Sequence, residues 1–419
     1  MHDFKFIKDR LFCEGVPVMK IAKEFKTPLY IYSYKTIIEH FHKLYSAFSD
    51  FKPLICYSLK ANSNLSIARV LLKQGAGLDI VSGGELYKAL KIGASPRRIV
   101  YASVGKTEEE ITRAIQVGIL FFNVESDSEL RVINRIAGQL GKIVQVAIRI
   151  NPDIEPQTHE YITTGKLTNK FGVSLDLARR IFINRGSFPN IKFNAVHMHI
   201  GSQIISSRPF IGAIRRVLDF VLELLSLGIK IEYLNIGGGL GIIYKNEKPQ
   251  TAHQFSKNIS GLLRRANLKI ILEPGRFIVG NAGILVTKVI YVKKNHKKIF
   301  VIVDAGMNDL MRPALYGAYH DILPLARRNN RGKVSVDVVG PICESADFLA
   351  KNRKIQKVSE GELLAVMSTG AYGFSMASNY NSRLQPAEVL VKGKNSYLIR
   401  ERQNFKDLIK GEHIVKFLE

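Results

Sequence analysis

The chain alternates eight times between a short apolar run and a segment of helical spacing, and that order leaves few folds open to it. The runs are Leu54 to Leu59, Gly77 to Val81, Ile99 to Ala102 and Ile119 to Val124, then Ile143 to Ile150, Ala195 to Ile200, Tyr233 to Ile236 and Ile270 to Leu272. Between them apolar residues recur three and four apart, as in Ile67, Val70 and Leu71 or Val217, Leu218, Val221 and Leu224, the spacing of an amphipathic helix. Eight such repeats predict a (β/α)8 barrel over residues 41–285, a usual length for one, with its working groups at the C-terminal ends of the strands.

Outside that span the pattern changes to a period of two. Ile284 to Val292 and Ile299 to Val303 flank a lysine-rich turn like the strands of a hairpin, and Val334 to Val338 alternates. Residues 286–419 are therefore expected to form a second, mostly β domain, joined by residues 1–40 through the strand-like Leu29-Tyr30-Ile31-Tyr32. A chain of 419 residues with 46% hydrophobic content can bury two cores.

Three cysteines, Cys13, Cys56 and Cys343, lie far apart with no metal-ligand spacing, which argues for a reducing compartment and against a disulfide framework or a metal. No apolar run reaches membrane-spanning length and the first residues lack a signal-peptide layout, so a soluble cytoplasmic protein is expected. The net charge of +25 is spread as pairs such as Arg97-Arg98 and Arg327-Arg328 without a nucleic-acid-binding motif. A solvated basic surface is the preferred account, and no nucleic-acid partner is expected.

The residues just past the strand-like runs carry the chemistry. Lys60 closes the first run, at the mouth of the expected barrel, where an amine can be desolvated and made nucleophilic. His197 and His199 are expected to alternate on one strand and project to the same side, with Ser202 just beyond. Gly237-Gly238-Gly239 would let backbone N–H groups approach a phosphate. Glu273-Pro274-Gly275-Arg276 places a carboxylate and a guanidinium on the same rim. An imine-forming lysine, a phosphate seat, a flat imidazole and a carboxylate for a ring nitrogen together suit pyridoxal 5'-phosphate.

At this point the chain resembles the diaminopimelate decarboxylases of the alanine-racemase-like class of pyridoxal-phosphate enzymes. The matching stretches are Tyr57 to Asn62, Gly77 to Leu86, Arg149 to Asp153, Thr164-Gly165 with Lys170-Phe171-Gly172, His197 to Gln203, the Gly237 loop and Glu273 to Arg276. Cys343-Glu344-Ser345-Ala346-Asp347 and Gly370-Ala371-Tyr372-Gly373 complete the set, in family order from about Thr27 to Val391. The resemblance implies that Lys60 holds the cofactor, that His199 packs on its ring, and that Ser202, Gly237 to Gly239 and the segment Glu273, Gly275 and Arg276 grip its phosphate and ring nitrogen. It further implies substrate carboxylates on Arg276, Arg312 and Tyr316, the distal amino group on Glu344, contact of Tyr372 with both molecules, and Cys343 as proton donor. The resemblance also implies that Asp79 and Arg149 lie near the cofactor. A racemase of this class is expected to carry arginine where Glu273 stands; glutamate keeps the ring nitrogen protonated and favours decarboxylation.

Two guanidinium groups suit a substrate that retains a carboxylate after losing one, which favours meso-2,6-diaminopimelate, with L-lysine and carbon dioxide as products of a last step in lysine biosynthesis. The alternative is another basic amino-acid or carboxynorspermidine decarboxylase on the same fold. Ser58 and Leu59 before the lysine, Ala346 and Leu384 depart from the commoner family residues while leaving the charged groups intact. The resemblance also implies a head-to-tail homodimer in which Cys343 and Glu344 reach the partner's cofactor.

Overall fold

The computed structural model describes residues 2–155, 169–265, 267–328 and 330–418, so the Thr164-Gly165 motif lies outside the described residues. The chain divides into two compact units, Ile37–Val279 and the pair of segments Met1–Thr36 and Gly280–Glu419.

Residues 37–279 form a closed barrel of eight parallel strands. In chain order these are β1 (Leu54–Ser58), β2 (Gly77–Ile80), β3 (Ile99–Tyr101), β4 (Phe121–Val124), β5 (Val144–Arg149), β6 (Ile191–His197), β7 (Tyr233–Asn235) and β8 (Lys269–Leu272). Closure is made where Ile271 and Leu272 of β8 lie beside Leu54 and Ile55 of β1. After most strands a short polar side chain stops the loop and starts the helix. Asn64, Ser82, Thr107, Ser126, Ser174 and Thr251 each accept a hydrogen bond from a first-turn N–H, and Thr107 and Thr251 do so within full capping boxes.

The strand borders differ from the apolar runs in an instructive way. β4 begins at Phe121 rather than Ile119, and Ile143 lies just before β5, 72% exposed. β6 starts at Ile191 and stops at His197: exposed Lys192, which interrupts the apolar pattern, is nevertheless paired with Gln145 of β5, and buried Asn194 is taken into the strand as the extra residue at a register shift between Phe193 and Ala195. His199 is therefore beyond the strand, and the expectation that His197 and His199 share one strand does not hold.

Inside the barrel the period of two builds layers. Cys56, Val100, Phe121, Ala147, Ala195 and Ile271 form a buried apolar cluster with Leu54 and Tyr233 packed against it. Two residues further along their strands stand Ser58, Asn123, Arg149, His197, Asn235 and, just past β8, Glu273, all buried. A greasy floor thus carries a polar ceiling at the C-terminal mouth.

The other unit is built on a nine-stranded sheet and a three-stranded one. The long strand Gly283–Asn295 lies antiparallel to Leu29–Ser33 on one side and to Leu363–Val366 on the other, and continues into a hairpin with Lys298–Val303. Leu29–Ser33 is also paired in parallel with Ala387–Lys392, so it is a central strand, buried throughout. Leu29 and Ile31 enter a core with Val18, Ile21, Ile284, Val286 and Val389. Tyr30 and Tyr32 take the opposite face, where their hydroxyls donate to the Asp309 carbonyl at 2.6 Å and to Glu388 Oε1 at 2.7 Å. Lys333–Val339 departs from the expected alternation: Val336, Asp337 and Val338 are buried in succession, and Asp337 is satisfied by the Asn352 N–H and Lys298. Cys13 and Cys56 are buried, Cys343 is exposed, and all three are free.

The barrel floor gives a direct test. Phe121, 1% exposed, fills it, and Phe121→Ala should cost about 3–5 kcal/mol in denaturant unfolding. A loss below about 1 kcal/mol would show that the interior is not packed as described.

Candidate active site

Lys60 lies in a short 3-10 turn, Leu59–Ala61, directly after β1. Its Nζ sits 3.2 Å from Asp79 Oδ2, with the lysine side chain 36% exposed and the aspartate fully buried. Asp79 also accepts from the Ser58 hydroxyl, while its Oδ1 has no partner among the described residues. Burial pushes the Asp79 carboxyl up and Lys60 pulls it back. The Glu273–Arg276 turn is packed on the Lys60 turn: the Ser58 N–H donates to the Pro274 carbonyl, and a Cβ on Gly275 would lie 2.9 Å from that of Ala61.

Glu273 is the centre of the polar ceiling. Oε1 accepts from Asn123 Nδ2 at 2.9 Å and from Asn235 Nδ2 at 2.5 Å, and His197 Nε2 lies 3.2 Å from Oε2. Burial alone would raise this carboxyl, but His197, Lys60 and Asn235 hold it well below the ordinary carboxylate range, so it is ionised. His199 works from the opposite state. Desolvation, then the charges of Lys60 and Arg149, lower its pKa well below the usual imidazole value, and its Nδ1 accepts the Gly238 N–H at 3.1 Å, which requires an unprotonated nitrogen.

The glycine loop cannot be anything but glycine. Gly237 has φ +67° and a Cβ there would lie 2.5 Å from the Met198 carbonyl; on Gly238 it would lie 2.1 Å from the Glu273 carbonyl, and on Gly239 2.3 Å from that of Gly201. Beside the loop, Arg276 donates from Nε and Nη2 to Ser202 Oγ at 3.2 and 3.1 Å and from Nη1 to the Tyr244 hydroxyl at 2.6 Å. Arg149 is bound to Glu125 at 2.6 Å and lies over the Phe171 ring, while Gly172 donates to the second Glu125 oxygen. The Lys170-Phe171-Gly172 motif thus braces Arg149, whose Nη2 reaches the His199 carbonyl at 3.4 Å.

These residues fit pyridoxal 5'-phosphate. An amine at the rim, an ionised buried carboxylate for a ring nitrogen, a neutral flat ring and a side-chain-free loop beside a serine meet its separate chemical demands. Unsatisfied buried atoms on Asp79, Asn123 and His197 mark the same ceiling as built for more than the protein supplies.

The remaining candidates belong to the β-rich unit. Cys343 and Glu344 sit on an exposed turn pinned from both sides: the Cys343 N–H donates to Asn381 Oδ1, and Asp347 accepts from the Met307 and Ile342 N–H groups at 2.7 and 2.6 Å. Arg312, buried at the start of the helix Arg312–Tyr316, donates to His320 Nε2 at 2.8 Å, and His320 Nδ1 faces the Met367 carbonyl at 2.8 Å, which sets the tautomer. Tyr372 has φ +57°, a left-handed backbone unusual for so bulky a residue and of the kind that gathers at working sites. Asn123, Asn235, His197 as a partner of Glu273, Tyr244 and His320 were not foreseen; the first three carry a signal, since each stands two residues beyond an inward apolar position.

Residues 34–280 match the pyridoxal-binding domain of the pyridoxal-dependent decarboxylases. The chain is 50% identical to diaminopimelate decarboxylase of Aquifex aeolicus over 95% of its length and 94% of the relative's. Diaminopimelate decarboxylase of M. jannaschii in co-complex with L-lysine superposes with a TM-score of 0.95 at 39% identity, covering 100% of both chains. That of Helicobacter pylori complexed with L-lysine gives 0.90 at 42%, over 94% of this chain and 98% of that one. The chain belongs to the pyridoxal-dependent decarboxylases, within the diaminopimelate decarboxylase family. A lysine/ornithine decarboxylase from Vibrio vulnificus, 21% identical with a TM-score of 0.79, shares the fold.

Glu273 makes a pH prediction. Its folded pKa lies below its ordinary value of 4.5, so its ionised form stabilises the fold fully above that value, and the contribution is lost as pH falls through the depressed pKa. The unfolding free-energy difference between wild type and Glu273→Gln should therefore be largest near neutrality and shrink below about pH 4. A difference that does not change down to pH 3 would refute the ionised buried carboxylate.

Proposed function

We infer that this protein decarboxylates meso-2,6-diaminopimelate to L-lysine and carbon dioxide with pyridoxal 5'-phosphate, as the last step of lysine biosynthesis. The observation that carries the reading is the ionised Glu273, clamped at the barrel mouth beside Lys60, in a chain 50% identical to a relative that bears that name.

When bound, pyridoxal phosphate supplies the electron sink for the bond to the departing carboxylate. Lys60 would supply the amine that holds the cofactor, with Asp79 as the carboxylate beside it. Glu273 would keep a proton on the ring nitrogen, and His199, held neutral, would offer its imidazole to the ring. Ser202, braced by Arg276, and Gly237 to Gly239 receive the phosphate, with Gly275 allowing the close turn. Arg276, Arg312 and Tyr316 bind substrate carboxylates, Glu344 binds the distal ammonium group, Tyr372 touches cofactor and substrate, and Cys343 delivers the proton to the α-carbon. The barrel unit, Ile37–Val279 where 41–285 was expected, forms the cofactor domain, and Met1–Thr36 with Gly280–Glu419 forms the β domain. The enzyme works in the cytoplasm as a homodimer with shared sites. Another basic amino-acid decarboxylase or a carboxynorspermidine decarboxylase of the same fold is the competing reading; the lysine/ornithine neighbour supports the fold alone.

A substrate panel decides between them. Carbon dioxide release should be fastest by at least about a hundredfold with diaminopimelate over ornithine, arginine and carboxynorspermidine, because those substrates lack the distal carboxylate that Arg276 and Arg312 would bind. Borohydride should fix the pyridoxyl group on Lys60, and Lys60→Ala should retain almost no turnover; label on another lysine sinks the assignment.

Shared sites predict complementation. Lys60→Ala and Cys343→Ala proteins, each inactive, should recover roughly one quarter of wild-type activity after subunit exchange, since about half the dimers are mixed and each holds one intact site. Exchanged heterodimers that stay at the parental background would show that each chain serves itself.

A further inference from the structure

Asn235 ends β7 with its side chain in the polar ceiling, 0% exposed. Its amide is used at both ends. Nδ2 donates to Glu273 Oε1 at 2.5 Å, and Oδ1 accepts the Gly237 N–H at 2.9 Å. The orientation is forced: turned over, the amide oxygen would face a carboxylate and the NH2 group would face an N–H, two repulsions in place of two bonds. A backbone bond runs parallel to it, from the Glu273 N–H to the Gly237 carbonyl at 2.8 Å. Gly237 in turn packs closely on its neighbours: a Cβ there would meet the Met198 carbonyl oxygen at 2.5 Å and His199 Nδ1 at 2.7 Å.

Asn123 provides the internal comparison. It donates to the same Glu273 oxygen at 2.9 Å but has no bond to the glycine loop. Two amides therefore serve one carboxylate, and only one of them continues to the loop. We propose that Asn235 is a positioning residue that couples the two ends of the cofactor grip, fixing the glycine loop for the phosphate relative to the carboxylate for the ring nitrogen. This rests on the reading of the Gly237 loop as the phosphate seat.

Coupling has a measurable consequence because the phosphate contribution can be isolated. Full-length protein stripped of cofactor is titrated by equilibrium dialysis with pyridoxal 5'-phosphate and with pyridoxal, and the ratio of the two dissociation constants reports the phosphate grip alone. Wild type should prefer the phosphorylated form strongly. Asn235→Ala, which frees the Gly237 N–H, should reduce that preference by about tenfold or more, whereas Asn123→Ala should leave it within about threefold of wild type. Asn235→Asp keeps the acceptor for Gly237 in the same shape, shares one proton with Glu273 and should also stay within about threefold, which keeps the test alive if the alanine variant does not fold. The coupling is overturned if folded Asn235→Ala keeps the wild-type ratio, if Asn123→Ala loses as much, or if Asn235→Asp loses it. A wild type that does not discriminate the two ligands removes the phosphate-seat reading itself, and the coupling with it.

Discussion

A carboxylate held ionised inside a barrel is expensive in free energy, and the arrangement of this barrel's mouth follows from meeting that cost. Glu273 is nearly inaccessible to water, so its charge has to be balanced by protein donors. Asn123 from β4, His197 from β6 and Asn235 from β7 converge on it from separate strands, and only a closed sheet brings those strands to one point. The apolar layer beneath keeps water out, which strengthens each of these bonds and removes any alternative to them. Desolvation acts on opposite chemistry at His199 and Glu273: the half-buried imidazole is driven neutral, and the buried carboxylate is kept charged by its donors.

How much of this was legible in the sequence depends on which physical signal each residue emits. The eightfold alternation is a long-range pattern of many apolar positions, so the barrel survives errors at single strand ends such as Ile119 and Ile143. β6 begins before its apolar run because an apolar run is a poor ruler for a strand that includes exposed Lys192 and buried Asn194. Lys60, Glu273 and the glycine loop emit strong signals, being charged or conformationally unique at a strand end. Asn123 and Asn235 are quiet by comparison: a lone asparagine at a strand end reads as a turn residue, and only the step of two from Phe121 and Tyr233 shows that it faces inward. Tyr244 and His320 emit no signal, since what matters in each is a bond to an arginine far along or across the local chain path.

The β-rich unit was legible in a different manner. Period-two patterning located its strands, yet the residues of interest there are in turns, where no periodicity speaks. Asp347 illustrates the point. In sequence it is a charge beside Cys343 and Glu344; in the fold it is a staple that holds the turn by two backbone N–H groups and leaves no space for a side chain on Gly340. The left-handed Tyr372 and the Arg312–His320 pair are likewise properties of the folded backbone.

Leu29–Ser33 and Gly283–Asn295 are neighbours in one sheet, with Tyr32 opposite Gly283 and the Ser33 N–H bound to the Ala282 carbonyl, yet the entire barrel is threaded between them. A ribosome therefore releases one partner of this ladder long before the other exists. Closing so long an unstructured loop carries a large entropic cost, and a barrel that has already folded shortens the effective loop to the distance between its own ends. The central strand of the sheet, flanked later still by Ala387–Lys392, waits unpaired during synthesis with Leu29 and Ile31 bare. Order of assembly is thus written into the connectivity: barrel first, sheet second, with an aggregation-prone interval between the two.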